Sequence, residues 1–190
     1  MIYLDNAATT FSEKVIAAVL PSLCEGNPSS KHFMGELARK QIETARSRVA
    51  DFLNSSPEDI IFTSSGSEAN TLAILGLADH LSKLGLKHII TSAYEHHSVL
   101  NAMGEMEKRG FEVTYLMPKG GFIDCEDFKA AIRPDTGFAS VMYVNNEIGT
   151  VNDIRGIYEV CKGQGLILHS DCVQAVGAVG VGIKIGRAHV

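Results

Sequence analysis

Short apolar runs alternate with segments of helical periodicity along most of this chain, and this alternation restricts the fold more than any other feature. The candidate strands lie at 59–63, 87–91, 111–116, 139–144 and 166–169. The candidate helices between them lie at 67–84, 95–109, 124–132 and 153–162. Strands that alternate with helices are typical of a parallel sheet covered by helices. The sequence therefore predicts one compact α/β layer structure.

The residues before this alternation are predicted to be mainly helical. Ser12 is a candidate cap for a helix that runs to Leu20 and that Pro21 kinks or ends. Residues 26–30 are typical of a loop. A second helical face follows, formed by Leu37, Gln41, Ala45 and Val49, with Ile42 and Phe52 beside it.

Composition and charge argue against several classes of partner. The 190 residues carry a formal net charge of −5, which disfavours a nucleic-acid or anionic-membrane surface. No apolar run approaches the length of a membrane span, and the first residues lack the pattern of a signal peptide. The cysteines form no CxxC pair, so we interpret Cys24, Cys125, Cys161 and Cys172 as thiols in a reducing compartment. These features predict a cytoplasmic protein.

Polar side chains follow four of the predicted strands, at the point where each strand ends. The four segments are 64–70, 92–97, 145–150 and 170–174. In open α/β sheets, ligands bind outside the carboxyl ends of the strands. The four segments therefore predict one shared ligand site.

The first of these segments is a candidate anion site. Gly66 and Ser67 open a helix, whose free N–H groups and positive dipole end attract a phosphate. The alternative is an ordinary helix cap.

Asp171 is the second candidate site residue. A carboxylate at the end of a buried strand is costly unless it meets a cation or several donors, and a protonated pyridine nitrogen is such a cation. Gln174, one helical turn further on, could donate to a ring oxygen. The alternatives are that Asp171 caps the following helix and that Gln174 is a solvated helix residue.

His96 and Asn146 complete the candidate site. His96 could stack on a planar cofactor or transfer protons, whereas His97 is interpreted as a surface histidine. Asn146 could bond a phenolate oxygen or a substrate carboxylate, or it could serve turn chemistry. A metal site on Glu95, His96 and His97 is a weaker alternative, because their spacing does not match HExxH.

Taken together, these residues resemble the NifS/IscS-type cysteine desulfurases of the class V aminotransferase group. The resemblance covers nearly the whole chain up to about Lys184, and it rests on six motifs in order, each weak to moderate alone. They are residues 3–10, 26–30, 62–70, 95–96, 144–149 and 169–174. It implies the three-layer large domain of fold type I, with helices on both faces of the sheet.

The resemblance also implies a cofactor, pyridoxal 5'-phosphate, and a role for each candidate residue. Gly66 and Ser67 would hold its phosphate. His96 would stack on the pyridine ring and move protons. Asp171 would pair with the ring nitrogen, and Gln174 would bond the ring oxygen. Asn146 would contact the ring hydroxyl oxygen and the substrate. No metal is implied, and Cys172 is not the catalytic cysteine.

The family reaction converts L-cysteine to L-alanine and leaves the sulfur as a persulfide on the enzyme. It supplies iron–sulfur cluster assembly or thiolation through a sulfur-acceptor or scaffold protein. Family members are homodimers. A selenocysteine lyase, another class V enzyme and a non-catalytic fragment are the alternatives.

The resemblance divides the chain into an N-terminal arm at 1–14, an incomplete cofactor-binding domain at 15–184 and a tail at 185–190. We interpret the tail as non-native, because one permitted codon choice for it spells a widely used sequencing adapter. The family's cofactor-binding lysine, its nucleophilic cysteine and its substrate-binding arginine have no counterpart here. We therefore expect this polypeptide alone to be inactive.

Overall fold

The computed structural model describes residues 12–24 and 26–180, which divide into two compact units between Ile61 and Phe62. Most of the predicted arm at 1–14, the motif at 3–10 and the whole predicted tail at 185–190 lie outside the described residues.

The first unit is helical, as predicted. Helix α1 spans Glu13–Val19 directly after Ser12, and a 3-10 helix at Leu20–Cys24 contains Pro21. Helix α2 spans Phe33–Leu53 and ends at Asn54, whose φ of 54° is left-handed. The predicted apolar face of α2 is largely exposed. Its exposed members include Leu37, Ile42, Val49 and Phe52.

The second unit contains a four-stranded sheet and five helices among the residues from Phe62 to Gly180. Its helices are α3 Gly66–Gly76, α4 Ala78–Lys83, α5 His97–Lys108, α6 Cys125–Ala130 and α7 Ile154–Gln164. Its strands are β1 His88–Ser92, β2 Glu112–Leu116, β3 Thr136–Ser140 and β4 Ile167–His169. All pairs are parallel, in the order β2-β1-β3-β4.

The strand predicted at 59–63 is wrong. Pro57–Asp59 form a 3-10 helix instead. Asp59 Oδ2 accepts hydrogen bonds from the Ser55 hydroxyl (2.9 Å) and the Ser56 N–H (3.1 Å). This local turn chemistry competes with strand formation. Beyond it, Ile61 is 73% exposed and is not part of the described sheet.

Two other boundaries differ from the prediction. The helix expected at 67–84 is interrupted at Leu77, directly after Gly76, a residue type that weakens helices. Strand β3 begins and ends earlier than the predicted 139–144, because its pairing with β1 stops at Ser140. Beyond that point, the Val141 N–H donates to the carbonyl of His169, the last residue of β4 (3.1 Å). The Tyr143 N–H donates to the carbonyl of Asp171, just after β4 (2.9 Å).

Two apolar clusters lie on opposite faces of this sheet. In β1, Ile89 belongs to the cluster under α3, α4 and α5, whereas Ile90 belongs to the cluster under α6 and α7. In β3, Phe138 and Ala139 divide in the same way. Neighbouring strand residues point to opposite faces, so both faces of the sheet are covered. The predicted three-layer α/β fold is confirmed.

No helix in the described ranges has the length and apolar character needed to cross a membrane.

Gly137 of β3 packs closely against Leu81 of α4 and against Leu86, which follows that helix. A Cβ atom at this position would lie 2.7 Å from Leu86 Cβ and 2.8 Å from Leu81 Cδ2. We expect Gly137→Ala to lower the free energy of unfolding by about 2 kcal/mol, because overpacking a core displaces its neighbours.

Gly163→Ala is the matched control for this substitution, because nothing lies within 4 Å of that exposed position in α7. Urea denaturation should show Gly163→Ala to be neutral or stabilising, as helix propensity favours alanine. Equal effects of the two substitutions would contradict the packing argument.

Candidate functional site

The predicted site lies where the order of the strands reverses, between β1 and β3. The chain passes from β1 outward to β2 and then crosses back to β3 on the other side of β1. A crevice forms outside the carboxyl ends of the strands at such a switch point. The loops after β1, β3 and β4 carry His96, Asn146 and Asp171. All six predicted site residues lie in the second unit.

The Asp171 carboxylate is buried and has two hydrogen-bond donors. The residue is 8% exposed. Its Oδ1 accepts from the Val173 N–H at 2.9 Å, and its Oδ2 accepts from Asn70 Nδ2 at 2.8 Å. No lysine or arginine of the described ranges forms an ion pair with it. Since each carboxylate oxygen accepts about two hydrogen bonds, acceptor capacity remains for a cationic ligand.

The start of helix α3, which contains Gly66 and Ser67, lies against the segment that follows Asp171. Helix α3 begins at Gly66, and a Cβ atom at Gly66 would lie 2.9 Å from Val173 Cγ2. The helix cap is Ser65, whose Oγ accepts from the Glu68 N–H at 3.2 Å. The ordinary helix cap that was the alternative for this segment is therefore present, and it is formed by Ser65 and not by Gly66 or Ser67. Ser67 is exposed in the first turn.

The Glu68 carboxylate turns back from the helix toward the preceding loop. It accepts hydrogen bonds from the Ser64 N–H (2.6 Å) and the Ser64 hydroxyl (2.7 Å). These bonds lower the pKa of Glu68, so the side chain is ionised at neutral pH.

His96 is exposed and caps helix α5. Its Nδ1 accepts from the Ser98 N–H at 3.1 Å and lies 2.8 Å from Ser98 Oγ. His96 and Ser67 both line a cavity of about 430 Å³. The structure therefore brings the predicted ring-stacking residue and the predicted phosphate ligand to one cavity. His97, interpreted from the sequence as a surface residue, is exposed at the first position of α5 and lines the same cavity.

Asn146 and Gln174 lie in the neighbouring loops, and both are half-buried. In the loop after β3, the turn is stabilised by Asn145 and not by Asn146. Asn145 Oδ1 accepts hydrogen bonds from the N–H groups of Glu147 and Ile148, both at 2.9 Å. The structure does not join Asn146 to His96, Ser67 or Asp171 by a hydrogen bond.

Cys172 is half-buried beside Asp171. Burial raises the pKa of its thiol, and the negative charge of Asp171 adds to this effect. The group is therefore a thiol at neutral pH, and it lacks the thiolate character of a nucleophile. Residues 12–24 and 26–180 contain no cluster of three or more His, Cys, Asp or Glu side chains suited to a metal ion.

Glu95 is a buried carboxyl group to which the sequence assigned no role beyond that of a possible metal ligand and a place in the motif at 95–96. It is 5% exposed. Its Oε1 accepts from the Met142 N–H at 2.8 Å and from the Ser92 hydroxyl at 2.5 Å. Burial raises the pKa of Glu95 from 4.5 to about 7, and the nearby Asp171 charge contributes to the rise. The signal in the sequence was its position in the loop that follows an apolar strand, three residues after Ser92.

The raised pKa of Glu95 predicts a pH-dependent stability. Between about pH 4.5 and 7, the folded state holds a proton that the unfolded state has lost, so stability falls as the pH rises through this window. We expect Glu95→Gln to remove this decline. Relative to the variant, the original chain should lose stability on the order of 3 kcal/mol between pH 4.5 and 8.

Urea denaturation at the two pH values measures this difference. Glu126→Gln is the control, because that side chain is 81% exposed. Parallel pH profiles of the Glu95→Gln variant and the original chain would show that Glu95 does not titrate in this way.

Comparison with known proteins identifies relatives over nearly the whole chain. The family model described as aminotransferase class-V matches residues 2–185. The cysteine desulfurase IscS of Methylobacillus flagellatus is 46% identical over 188 residues, which cover 96% of this chain and 46% of the relative. The IscS of Dictyoglomus turgidum is also 46% identical, over 96% of this chain and 47% of the relative. The chain thus spans about half the length of these curated relatives.

Solved structures give the same result. A structure described as SspA in complex with cysteine superposes with a TM-score of 0.91 and 38% identity, covering 97% of this chain and 54% of the other. A NifS-like protein superposes with a TM-score of 0.91 and 32% identity, over 96% of this chain and 52% of the other. The chain belongs to the class-V aminotransferase family, and nearly all of it is similar to cysteine desulfurases.

Proposed function

We propose that residues 62–180 bind pyridoxal 5'-phosphate and supply the cofactor-holding part of a cysteine desulfurase. The observation that carries this proposal is the Asp171 carboxylate, which is buried, lacks a lysine or arginine partner among the described residues, and lies beside the first turns of α3. This arrangement supports a phosphate site at the start of α3 next to a partner for a cationic ring nitrogen, the two groups by which this cofactor would be held.

Gly66 and Ser67 would hold the phosphate. The first N–H groups of a helix have no intrahelical partners, and the helix dipole favours an anion at this end. Because Ser65 caps α3, the exposed Ser67 hydroxyl is available as a further donor. Glu68 directs its charge toward Ser64 on the preceding loop.

Asp171 would accept a hydrogen bond from the protonated ring nitrogen and stabilise its charge. When bound, pyridoxal phosphate supplies an electron sink for the charge left on the substrate Cα. His96 would cover the ring face and hold a proton at Nε2, since its Nδ1 already accepts from Ser98. Gln174 would donate to the ring oxygen, and Asn146 would contact that oxygen and the substrate.

The reaction we propose for the whole protein is that of the similar cysteine desulfurases. L-Cysteine loses its sulfur to a protein thiolate, which becomes a persulfide, and the Cβ atom takes up a proton to give L-alanine. A sulfur-acceptor or scaffold protein would then receive the sulfur. A homodimer is proposed by analogy with the family. A cytoplasmic location agrees with the free thiols of Cys125, Cys161 and Cys172.

Binding of pyridoxal phosphate to the purified chain tests the cofactor proposal. We expect Asp171→Asn to weaken binding by about 10- to 100-fold, because it removes the charge that pairs with the ring nitrogen. Equilibrium dialysis with absorbance detection measures this change. Asp79→Asn on the exposed surface of α4 is the matched control and should bind like the original chain. Equal affinities in all three proteins would refute the role of Asp171.

The substrate is tested separately, on the whole protein for which the desulfurase reaction is proposed. Alanine release from L-cysteine is the expected result. Release from L-selenocysteine alone would assign the protein to the selenocysteine lyases, and release from neither would contradict both assignments.

A further inference from the structure

Asn70 connects two of the predicted site residues that lie on different loops. It is 5% exposed on helix α3. Its Nδ2 lies 2.8 Å from Asp171 Oδ2 and 2.9 Å from Ser98 Oγ. Ser98 Oγ in turn lies 2.8 Å from Nδ1 of His96. A continuous path of three hydrogen bonds therefore joins the end of β4 to the start of α5.

The chemistry of these groups fixes the direction of each bond. A carboxylate oxygen is an acceptor, so the amide must present its NH₂ group and not its oxygen to Asp171. The second hydrogen of this NH₂ group is donated to Ser98 Oγ. The Ser98 backbone N–H donates to His96 Nδ1 at 3.1 Å, which makes Nδ1 an acceptor. The Ser98 hydroxyl therefore donates to the same Nδ1, and the neutral ring carries its hydrogen on Nε2.

We propose that Asn70 is a positioning residue of the cofactor site. With one amide hydrogen it orients the Asp171 carboxylate, and with the other it orients the Ser98 hydroxyl and thereby the His96 ring. Its importance for pyridoxal phosphate rests on the proposed function, whereas the hydrogen-bonded path itself does not.

An amide suits this position because it offers two hydrogens from one nitrogen. A leucine has nearly the same shape and offers none, so it would leave a buried carboxylate oxygen and a half-buried hydroxyl without their donor. Asn70→Leu should therefore disturb two separate side chains together. A residue that only filled space would not act selectively on both.

NMR of the isotopically labelled chain without cofactor tests the path. In Asn70→Leu we expect both the Asp171 ¹³Cγ resonance and the His96 ring ¹⁵N resonances to shift. In Ser98→Ala, which interrupts the path only on the histidine side, the ring resonances should shift while Asp171 ¹³Cγ stays in place. Thr71→Val is the control on the same helix, because its hydroxyl donates instead to the Ser67 carbonyl. It should leave both sets of resonances unchanged.

A shift of only one of the two side chains in Asn70→Leu would overturn the bridging role. If that variant does not fold, Ser98→Ala still decides, since unchanged His96 resonances in it are incompatible with the path.

Equilibrium dialysis with pyridoxal phosphate then tests the importance of the path for the site. We expect Asn70→Leu to bind about tenfold more weakly than the original chain, as follows from the loss of a hydrogen bond to a charged group. Unchanged affinity would limit Asn70 to a structural role. If the original chain does not bind the compound, the cofactor proposal fails while the NMR result on the path stands.

Discussion

The arrangement of the candidate site depends on one buried carboxylate. Asp171 lies just beyond the end of β4, and its two oxygens are held by the Val173 N–H and the Asn70 side chain. A buried charge is costly unless donors or a cation compensate it. The two donors provide part of this compensation, and a cationic ring nitrogen would provide more. The hydrogen bonds that compensate the Asp171 carboxylate therefore hold α3 and the loop after β4 together.

Buried polar side chains hold the adjacent loops in a similar way. Glu95 ties the end of β1 to the Met142 N–H beyond β3. Asn152 Oδ1 accepts from the Tyr94 hydroxyl and the Ile123 N–H, both at 2.9 Å, and its Nδ2 donates to the Met142 carbonyl at 2.8 Å. Such groups take the place of regular pairing where the chain leaves the sheet. The loops that carry His96 and Asn146 are therefore anchored from within the protein.

Much of this structure could be predicted from periodicity and strand ends. The helices and strands from His88 onward follow the apolar pattern, and the alternation identifies the layers of the fold. The strand at 59–63 could not be excluded, because Ile60, Ile61 and Phe62 are strongly strand-forming, whereas the competing turn at Asp59 depends on local hydrogen bonds. Periodicity alone cannot weigh these two effects.

The sequence could predict which loops carry the site residues, but not the hydrogen bonds that connect these residues. The position of Asp171 after an apolar strand indicates a costly charge, and the position of Gly66 indicates a helix start. Asn70 gives no such signal, because its two partners are 28 and 101 residues away along the chain. Its role depends on which helix lies beside which strand end, and only the folded structure shows this.

A crystal structure of the chain with pyridoxal 5'-phosphate bound tests the central claim most directly. The account predicts the phosphate within about 3 Å of the Gly66 and Ser67 N–H groups, and the ring nitrogen within about 3 Å of an Asp171 oxygen. A bound molecule whose phosphate lies away from the start of α3, or whose ring nitrogen faces a group other than Asp171, would contradict it.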